Sequence, residues 1–418
     1  MKGQNKLFFA IIIALILGVI AGGIVHIQYP DAAESFAEKI KLLGTVFIRL
    51  VQMIIAPLVF TTLVVGIAKM SDMSMIGRVG GKAMGWFLSA SLVSLLIGLV
   101  LVNWMQPGHT MKLDIPAADA AGELMKTSEE GLSLEKFVTH MIPKSVFEAF
   151  ATNEVLQIVV FAVMFGVALA NMGEKYTEPV VKMFDIIAHG ILKMVGYIMW
   201  VAPLGVFGSI AAVVATKGFD IFLVYAVYLR DFFIALAVLW VVLCLVGYIV
   251  LGKRLFTLLK RIKEPLLIAF STTSSEAVFP KLVEELERFG CNKRIVSFIL
   301  PLGYSFNLDG SMMYMTFASI FIAQIYGIEM SIGQQIIMLL VLMLTSKGIA
   351  GVPRASLVII VATCSMFGIP PEGIALILPI DHFCDMGRSM TNVLGNALAT
   401  SAVSKWEGQL DEDQGELA

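Results

Sequence analysis

The stretch that decides the fold is the last apolar segment, Ile374 to Val403, IALILPIDHFCDMGRSMTNVLGNALATSAV, where Asp381, Asp385, Arg388, Ser389, Asn392 and Asn396 interrupt a run otherwise fit for a membrane. At about 3.6 residues per turn, positions 381, 385, 388, 392 and 396 share one face of a helix, and Ile380, Phe383, Met390, Val393 and Leu394 make the other. A charged stripe in membrane-grade sequence has to face protein or a water-filled cavity, and it marks a functional site by default. Mutual neutralisation of Asp385 and Arg388 at i and i+3 accounts for those two residues. It leaves Asp381, Asn392 and Asn396 without a role.

Composition sets the class outward from that helix. The chain has 418 residues, 58% of them hydrophobic and only 15% charged, and its mean hydropathy is +0.86. Such a chain is an integral membrane protein, and its apolar runs leave no room for a soluble domain. A formal charge of -2 with no basic tract gives no indication of a nucleic-acid partner. Cys244, Cys291, Cys364 and Cys384 lie far apart, with neither a disulfide framework nor a metal-ligand spacing. No cofactor is expected. Lys2 and Lys6 precede an apolar run from Leu7 to Ile27, which has the length of a spanning helix and reads as a retained first span.

Further apolar spans are read at Leu42 to Met70, Lys82 to Met105, Leu156 to Met172, Val180 to Val214 and Ile221 to Leu251. One long, mostly acidic loop, Gln106 to Glu154, separates the third from the fourth. Short basic turns carry Lys69, Arg78 and Lys82, and later Lys253, Arg254, Lys260, Arg261 and Lys263. They mark the cytoplasmic side and place both termini inside. Arg230 and Asp231 are expected at the outer interface, and Arg49 at a helix end or a wetted face.

From Leu266 onward the spans are broken. Ser271-Thr272-Thr273-Ser274-Ser275-Glu276 and Pro280 cut one apolar region, and Asn307-Leu308-Asp309-Gly310-Ser311 sits in the middle of the next. Thr345-Ser346-Lys347-Gly348-Ile349-Ala350-Gly351-Val352-Pro353 cuts a third, and the polar-faced last helix follows. An interrupted hairpin followed by a polar-centred span thus occurs twice, the sequence sign of a transporter built from repeats with its site near the midplane. Irregular backbone at that depth is tolerated only where it lines a cavity or is buried in protein. Hydroxyls and free N–H groups at a hairpin tip suit a carboxylate, whereas Asn307 and Asp309 at a helix break offer oxygens for a cation. Arg388 is suited to a second carboxylate and Asp385 to an ammonium, which together describe an acidic amino acid.

With these residues in view, the chain resembles the glutamate and dicarboxylate:cation symporter family, and within it the bacterial proton/glutamate symporters. The resemblance is carried by Arg49-Leu50-Val51-Gln52-Met53 to Pro57, Ser274-Ser275-Glu276 to Pro280, Pro301 to Gly310, Ala350-Gly351-Val352-Pro353, and Asp385-Met386-Gly387-Arg388 to Asn392-Val393. It implies an all-α integral membrane protein of the bacterial cytoplasmic membrane, with eight transmembrane helices, two re-entrant helical hairpins and inverted repeats. It further implies an elevator-type homotrimer, with a scaffold domain and a moving transport domain. The scaffold would hold helices 1 and 2 (1–70) and, mainly, the extracellular loop with helices 4 and 5 (111–215). The transport domain would take helix 3 (71–110), helix 6 (216–261), hairpin 1 (262–293), helix 7 (294–327), hairpin 2 as the outer gate (328–372) and helix 8 (373–405), with a cytoplasmic tail at 406–418.

By position, the resemblance implies a substrate site of Ser274, Ser275, Ser311, Val352, Asp385, Arg388, Ser389 and Asn392. It also implies a cation-site-like set of Ser91, Gly303, Asn307, Asp309, Ser346, Asn392 and Asn396. Asp385 and Arg388 together favour L-glutamate or L-aspartate, since family members that carry dicarboxylates lack an aspartate at the first position. Asn396 stands where sodium-coupled relatives have an aspartate, Ile349 where they have a threonine, and Phe87 and Ala90 where they have a tyrosine and a threonine. Each change removes an oxygen or a charge, so coupling to protons is expected. Glu276, on a tip where burial would raise its pKa, is the leading proton-carrying candidate, with Asp309 and Asp385 beside it. His140, His189 and His382 read as packed residues, and Lys347 and Arg354 flank the second tip. Sodium-coupled uptake and C4-dicarboxylate transport are the alternatives within the family. An intramembrane hydrolase built on Ser274 or Ser275 lacks a paired base, and a passive anion channel differs in being unable to concentrate its solute.

Overall fold

The computed structural model describes residues 2–68, 73–111, 142–218, 225–346 and 355–412. Those residues are helical almost throughout, and the β contact among them is an isolated bridge between Cys291 and Leu410. The helices are α1 (Lys2–Gln28), α2 (Ala33–Ala68), α3 (Met73–Met105), α4 (Pro107–Thr110), α5 (Val146–Ala151), α6 (Val155–Ala170), α7 (Glu174–Met199) and α8 (Ala202–Lys217). They continue as α9 (Ala226–Leu251), α10 (Arg254–Thr272), α11 (Phe279–Phe289), α12 (Lys293–Phe306), α13 (Asp309–Ile325), α14 (Ile332–Thr345), α15 (Ala355–Met366) and α16 (Asp381–Trp406).

Among the described residues, three stretches are apolar and long enough to cross a membrane by themselves: Phe9–Gln28, Gly77–Thr110 and Ala226–Leu251. Their outer faces carry the signature of lipid contact, with Ile13, Ile16, Leu17 and Ile20 exposed on α1, and Val241, Leu245 and Ile249 exposed on α9.

The helices pack in two groups. In the first, α2 is the common partner of α6, α7 and α8, and α8 also lies along α1. Gly208 makes the α2–α8 approach possible: a side chain there would meet the Ile40 carbonyl at 2.5 Å. In the second group α16 is central, touching α3, α9, α10, α12 and α13. Its two faces are buried alike, since Val393 and Leu394 on the apolar side are as inaccessible as Asn396 on the polar side. The last helix is therefore a core helix, and its polar stripe is buried in protein from Arg388 onward.

The sequence reading of broken segments corresponds to helix ends. Hairpin 1 is α10 and α11 joined by an irregular tip, and α12 and α13 are separated at Asn307 and Leu308. Element boundaries differ in two places. The sixth apolar span ends at Leu251, where Gly252 turns the chain with a φ of +63°, so Arg254 to Arg261 lie in the first arm of hairpin 1 rather than in the sixth helix. The fifth span, read as continuous from Val180 to Val214, is two helices broken at Trp200 and Val201, just before Pro203.

Candidate functional site

The site is built where α16 meets the start of α13. Arg388 lies buried, 4% exposed. One terminal nitrogen, Nη2, reaches Asp385 Oδ1 at 2.9 Å and Asp381 Oδ1 at 3.3 Å. The Arg388 guanidinium carbon sits 4.1 Å from the centre of the Tyr314 ring, a cation–π contact strengthened by burial. Tyr314 completes the support by donating from its hydroxyl to Asp381 Oδ1 at 2.9 Å. Asp381 thus holds arginine and tyrosine together, while Asp385 stays at the open rim with its side chain 36% exposed. The other guanidinium donors, Nε and Nη1, are buried and find no hydrogen-bond partner among the described residues. A buried charged donor left unsatisfied is costly. It is the feature an anionic ligand would relieve.

One turn further on, Asn392 acts across helices. Its Oδ1 accepts from the backbone N–H groups of Gly310 at 2.9 Å and Ser311 at 3.3 Å, and its Nδ2 donates to Ser311 Oγ at 3.2 Å. The side chain caps free N–H groups in the first turn of α13. Gly310 permits the approach, because a Cβ there would meet the Arg388 carbonyl at 2.6 Å. Ser389 lies buried beside this pair, its hydroxyl 3.5 Å from Asp385 Oδ1.

Below them is a polar knot. Asn307 Nδ2 donates to Asp309 Oδ2 at 3.3 Å and to Asn396 Oδ1 at 3.2 Å, and Ser94 Oγ lies 3.5 Å from Asp309 Oδ1. Asn307, Asp309, Asn396 and Ser91 are all fully or nearly fully buried. Gly303 and Gly395 form the walls, since side chains there would come within 2.4 Å of Asn396 Oδ1 and 1.9 Å of Asp309 Oδ2. Ser346, at the end of α14, is buried and donates to the Met343 carbonyl at 3.1 Å.

The hairpin 1 tip carries Ser274, Ser275 and Glu276. Ser274 Oγ accepts from the Ala277 N–H at 3.2 Å, and the Ser275 carbonyl accepts from the Val278 N–H at 3.4 Å and from the Tyr304 hydroxyl at 2.9 Å. Glu276 is an exposed residue of the tip. The reason is local, since it opens a 3-10 turn whose buried residues are Ala277 and Val278. A cavity of about 540 Å³ lies against the same tip, lined by Thr272 and Thr273, by His382 at the start of α16, and by Lys41 and Ser209 of the α2–α8 pair.

Of the residues expected at the site, Asp385, Arg388, Ser389, Asn392 and Ser311 are brought together, as are Asn307, Asp309 and Asn396. Val352, Ile349, Lys347, Arg354 and His140 lie outside the described residues. Arg230 and Asp231 divide: Arg230 is exposed and Asp231 buried, joined at 2.8 Å. Tyr314, Ser94 and Tyr304 were not foreseen. Tyr314 follows Ser311 at i+3 on the same helix face, a signal that was available, whereas Ser94 reaches Asp309 from a helix distant in sequence.

Helices broken in the middle of a membrane bundle, with a buried arginine–carboxylate pair and a polar knot at the breaks, define an integral membrane transport protein. The chain belongs to the sodium:dicarboxylate symporter family, which it matches over residues 7–406, and is a secondary symporter. It is 40% identical over 413 residues to a protein of Bacillus subtilis (strain 168) named C4-dicarboxylate transport protein, covering 97% of this chain and 96% of that one. It is 41% identical over 416 residues to the proton/sodium-glutamate symport protein of Bacillus caldotenax, with 98% and 96% covered. A C4-dicarboxylate transport protein of Laribacter hongkongensis (strain HLHK9) is 42% identical over 417 residues, with 99% and 92% covered.

Proposed function

We propose that this symporter imports an acidic amino acid, L-glutamate or L-aspartate, coupled to protons across a bacterial cytoplasmic membrane. The observation that carries the reading is the pairing of a buried Arg388, with guanidinium donors unsatisfied among the described residues, and an Asp385 carboxylate 2.9 Å away at the open rim. A ligand carboxylate answers the first and a ligand ammonium the second. A dicarboxylate would bring a second negative charge toward Asp385.

The polar knot supports proton coupling. The Asn307 amide donates to both Asp309 and Asn396, so a neutral donor already engages the oxygens a sodium ion would use. In this reading Asp309, Asp385 and Glu276 are the groups that can carry the proton. The helices gathered on α16 move as the transport domain, the group around α2 stays as the scaffold of a homotrimer, and hairpin 2 is the outer gate.

C4-dicarboxylate transport is the second reading, because relatives with that name are as similar to the chain as those named for glutamate. Ligand-induced stabilisation of the purified protein separates the two. A ligand at about 100 times its Kd stabilises by about 2.7 kcal/mol. Glutamate or aspartate is expected to raise the unfolding temperature at concentrations where succinate does not. Stabilisation by succinate alone would replace the first reading with the second.

A further inference from the structure

Tyr304 stands on α12 one turn before the break at Asn307, with its ring buried and edge-on to Phe279, 5.3 Å between centroids. Phe279 opens α11, the second arm of hairpin 1. The Tyr304 hydroxyl donates to the Ser275 carbonyl at 2.9 Å. That carbonyl belongs to the peptide joining Ser275 to Glu276, so the bond grips the middle of the hairpin tip.

The tip is anchored by the burial of Ala277 and Val278 and oriented by a few hydrogen bonds. Its own bonds, Ala277 N–H to Ser274 Oγ and Val278 N–H to the Ser275 carbonyl, measure 3.2 and 3.4 Å. Just before them, Thr273 adopts a left-handed φ of +54°, which a β-branched residue reaches only at a cost. A short irregular turn with a strained entry has several orientations of similar energy. The shortest of the three bonds, the one that comes from outside the hairpin, selects among them.

We propose that Tyr304 is a positioning residue for substrate: its hydroxyl holds the Ser275–Glu276 peptide in the orientation that presents Ser275 to an acidic ligand. The inference rests on the reading of Ser275 as a substrate contact. Without the hydroxyl, the Ser275 carbonyl keeps only the long bond from Val278, and ligand binding has to supply the ordering that the tyrosine supplies in advance. Tyr304 itself touches the tip and not the ligand, so turnover of bound substrate is unaffected.

Tyr304→Phe tests this, because it keeps the ring against Phe279 and removes only the hydroxyl. Uptake of labelled glutamate and labelled succinate into proteoliposomes gives KM and Vmax, and thermal unfolding of the ligand-free protein reports packing. Loss of one neutral hydrogen bond predicts a rise in KM of about fivefold, with Vmax within about twofold and the ligand-free unfolding temperature unchanged. An unchanged KM in an active variant overturns the proposal and leaves the functional reading intact. A lower Vmax and unfolding temperature at constant KM also overturns it, making Tyr304 a packing residue. A wild-type protein that accumulates neither acid defeats the functional reading, and the positioning role falls with it.

Discussion

Arg388 is the residue on which the site's chemistry turns, because Asp381 and Tyr314 hold it in place while two of its donor groups, Nε and Nη1, remain unsatisfied among the described residues. Arg388→Cys is predicted to weaken binding of acidic substrates by about 100-fold, the loss of a buried charge-assisted pair; unchanged competition by unlabelled glutamate would remove the assigned role. Asp385→Asn separates the two charges. It is expected to weaken glutamate binding while leaving succinate, which has no ammonium, unaffected or improved in the same competition assay. The glycines of the polar knot give a steric prediction. Gly395→Ala places a methyl group 1.9 Å from Asp309 Oδ2 and is predicted to lower the unfolding temperature and abolish uptake. Gly77→Ala meets nothing within 4 Å, so it is expected to be neutral or slightly stabilising. Arg388, Asp385 and Asn392 were legible from spacing on one helix. Tyr304 was not singled out because its role arises from a contact between helices, which no periodicity in a single segment reports, whereas Tyr314, three residues after Ser311, was within reach of the same spacing argument.

Among the elements, the end of α16 shows how the chain ties this end of the helix bundle together. Glu407 receives Lys82 at 2.7 Å and Arg78 at 3.0 Å, both from α3. Beyond it, the tail pairs with the base of hairpin 1 through Asn292 N–H to the Gln409 carbonyl and Asp411 N–H to the Gly290 carbonyl, at 3.2 and 2.9 Å. Arg254 adds bonds to the carbonyls of Phe289, Leu410 and Asp411. Partial burial alone would raise the Glu407 carboxyl, but its bonds to Lys82 and Arg78 outweigh that and hold it below its ordinary value. A depressed carboxylate contributes stability that is complete above its unfolded pKa, near about 4.3, and is lost as pH falls through the lower folded value. Glu407→Gln is therefore predicted to cost about 0.5–1 kcal/mol at neutral pH and to match the wild type at a pH below the folded value, as read from unfolding temperatures across pH. An equal deficit at all pH values would show that the clamp is not electrostatic. The composition of the tail says nothing about this backbone bridge, which depends on where hairpin 1 ends. The broken helices were read correctly, since Asn-Leu-Asp-Gly and the serine-rich tip interrupt apolar runs in a way lipid does not tolerate. The break at Trp200 was missed, because apolarity continues across it and only Pro203 signals a new helix start.

At the scale of the whole molecule, two helix groups meet along a boundary that carries the hairpin 1 tip and a cavity lined from both sides. The candidate site is held mainly within the α16 group, which is the arrangement that the proposed movement of one group past the other requires. Membership of the symporter family was readable because several separated motifs coincide over almost the whole length: the serine-rich hairpin tip, the Asn-Leu-Asp-Gly turn and the Asp–Arg pair. The substrate and the coupling ion depend on a few oxygens and charges, and similar relatives bear both glutamate and C4-dicarboxylate in their names. The measurement that bears most directly on the account is uptake of labelled glutamate into proteoliposomes under an inward proton gradient, with and without sodium, and with succinate and serine as competitors. The account predicts uphill accumulation without sodium that collapses on adding a protonophore and resists succinate. Strict dependence on sodium, or displacement of glutamate by succinate, would contradict it.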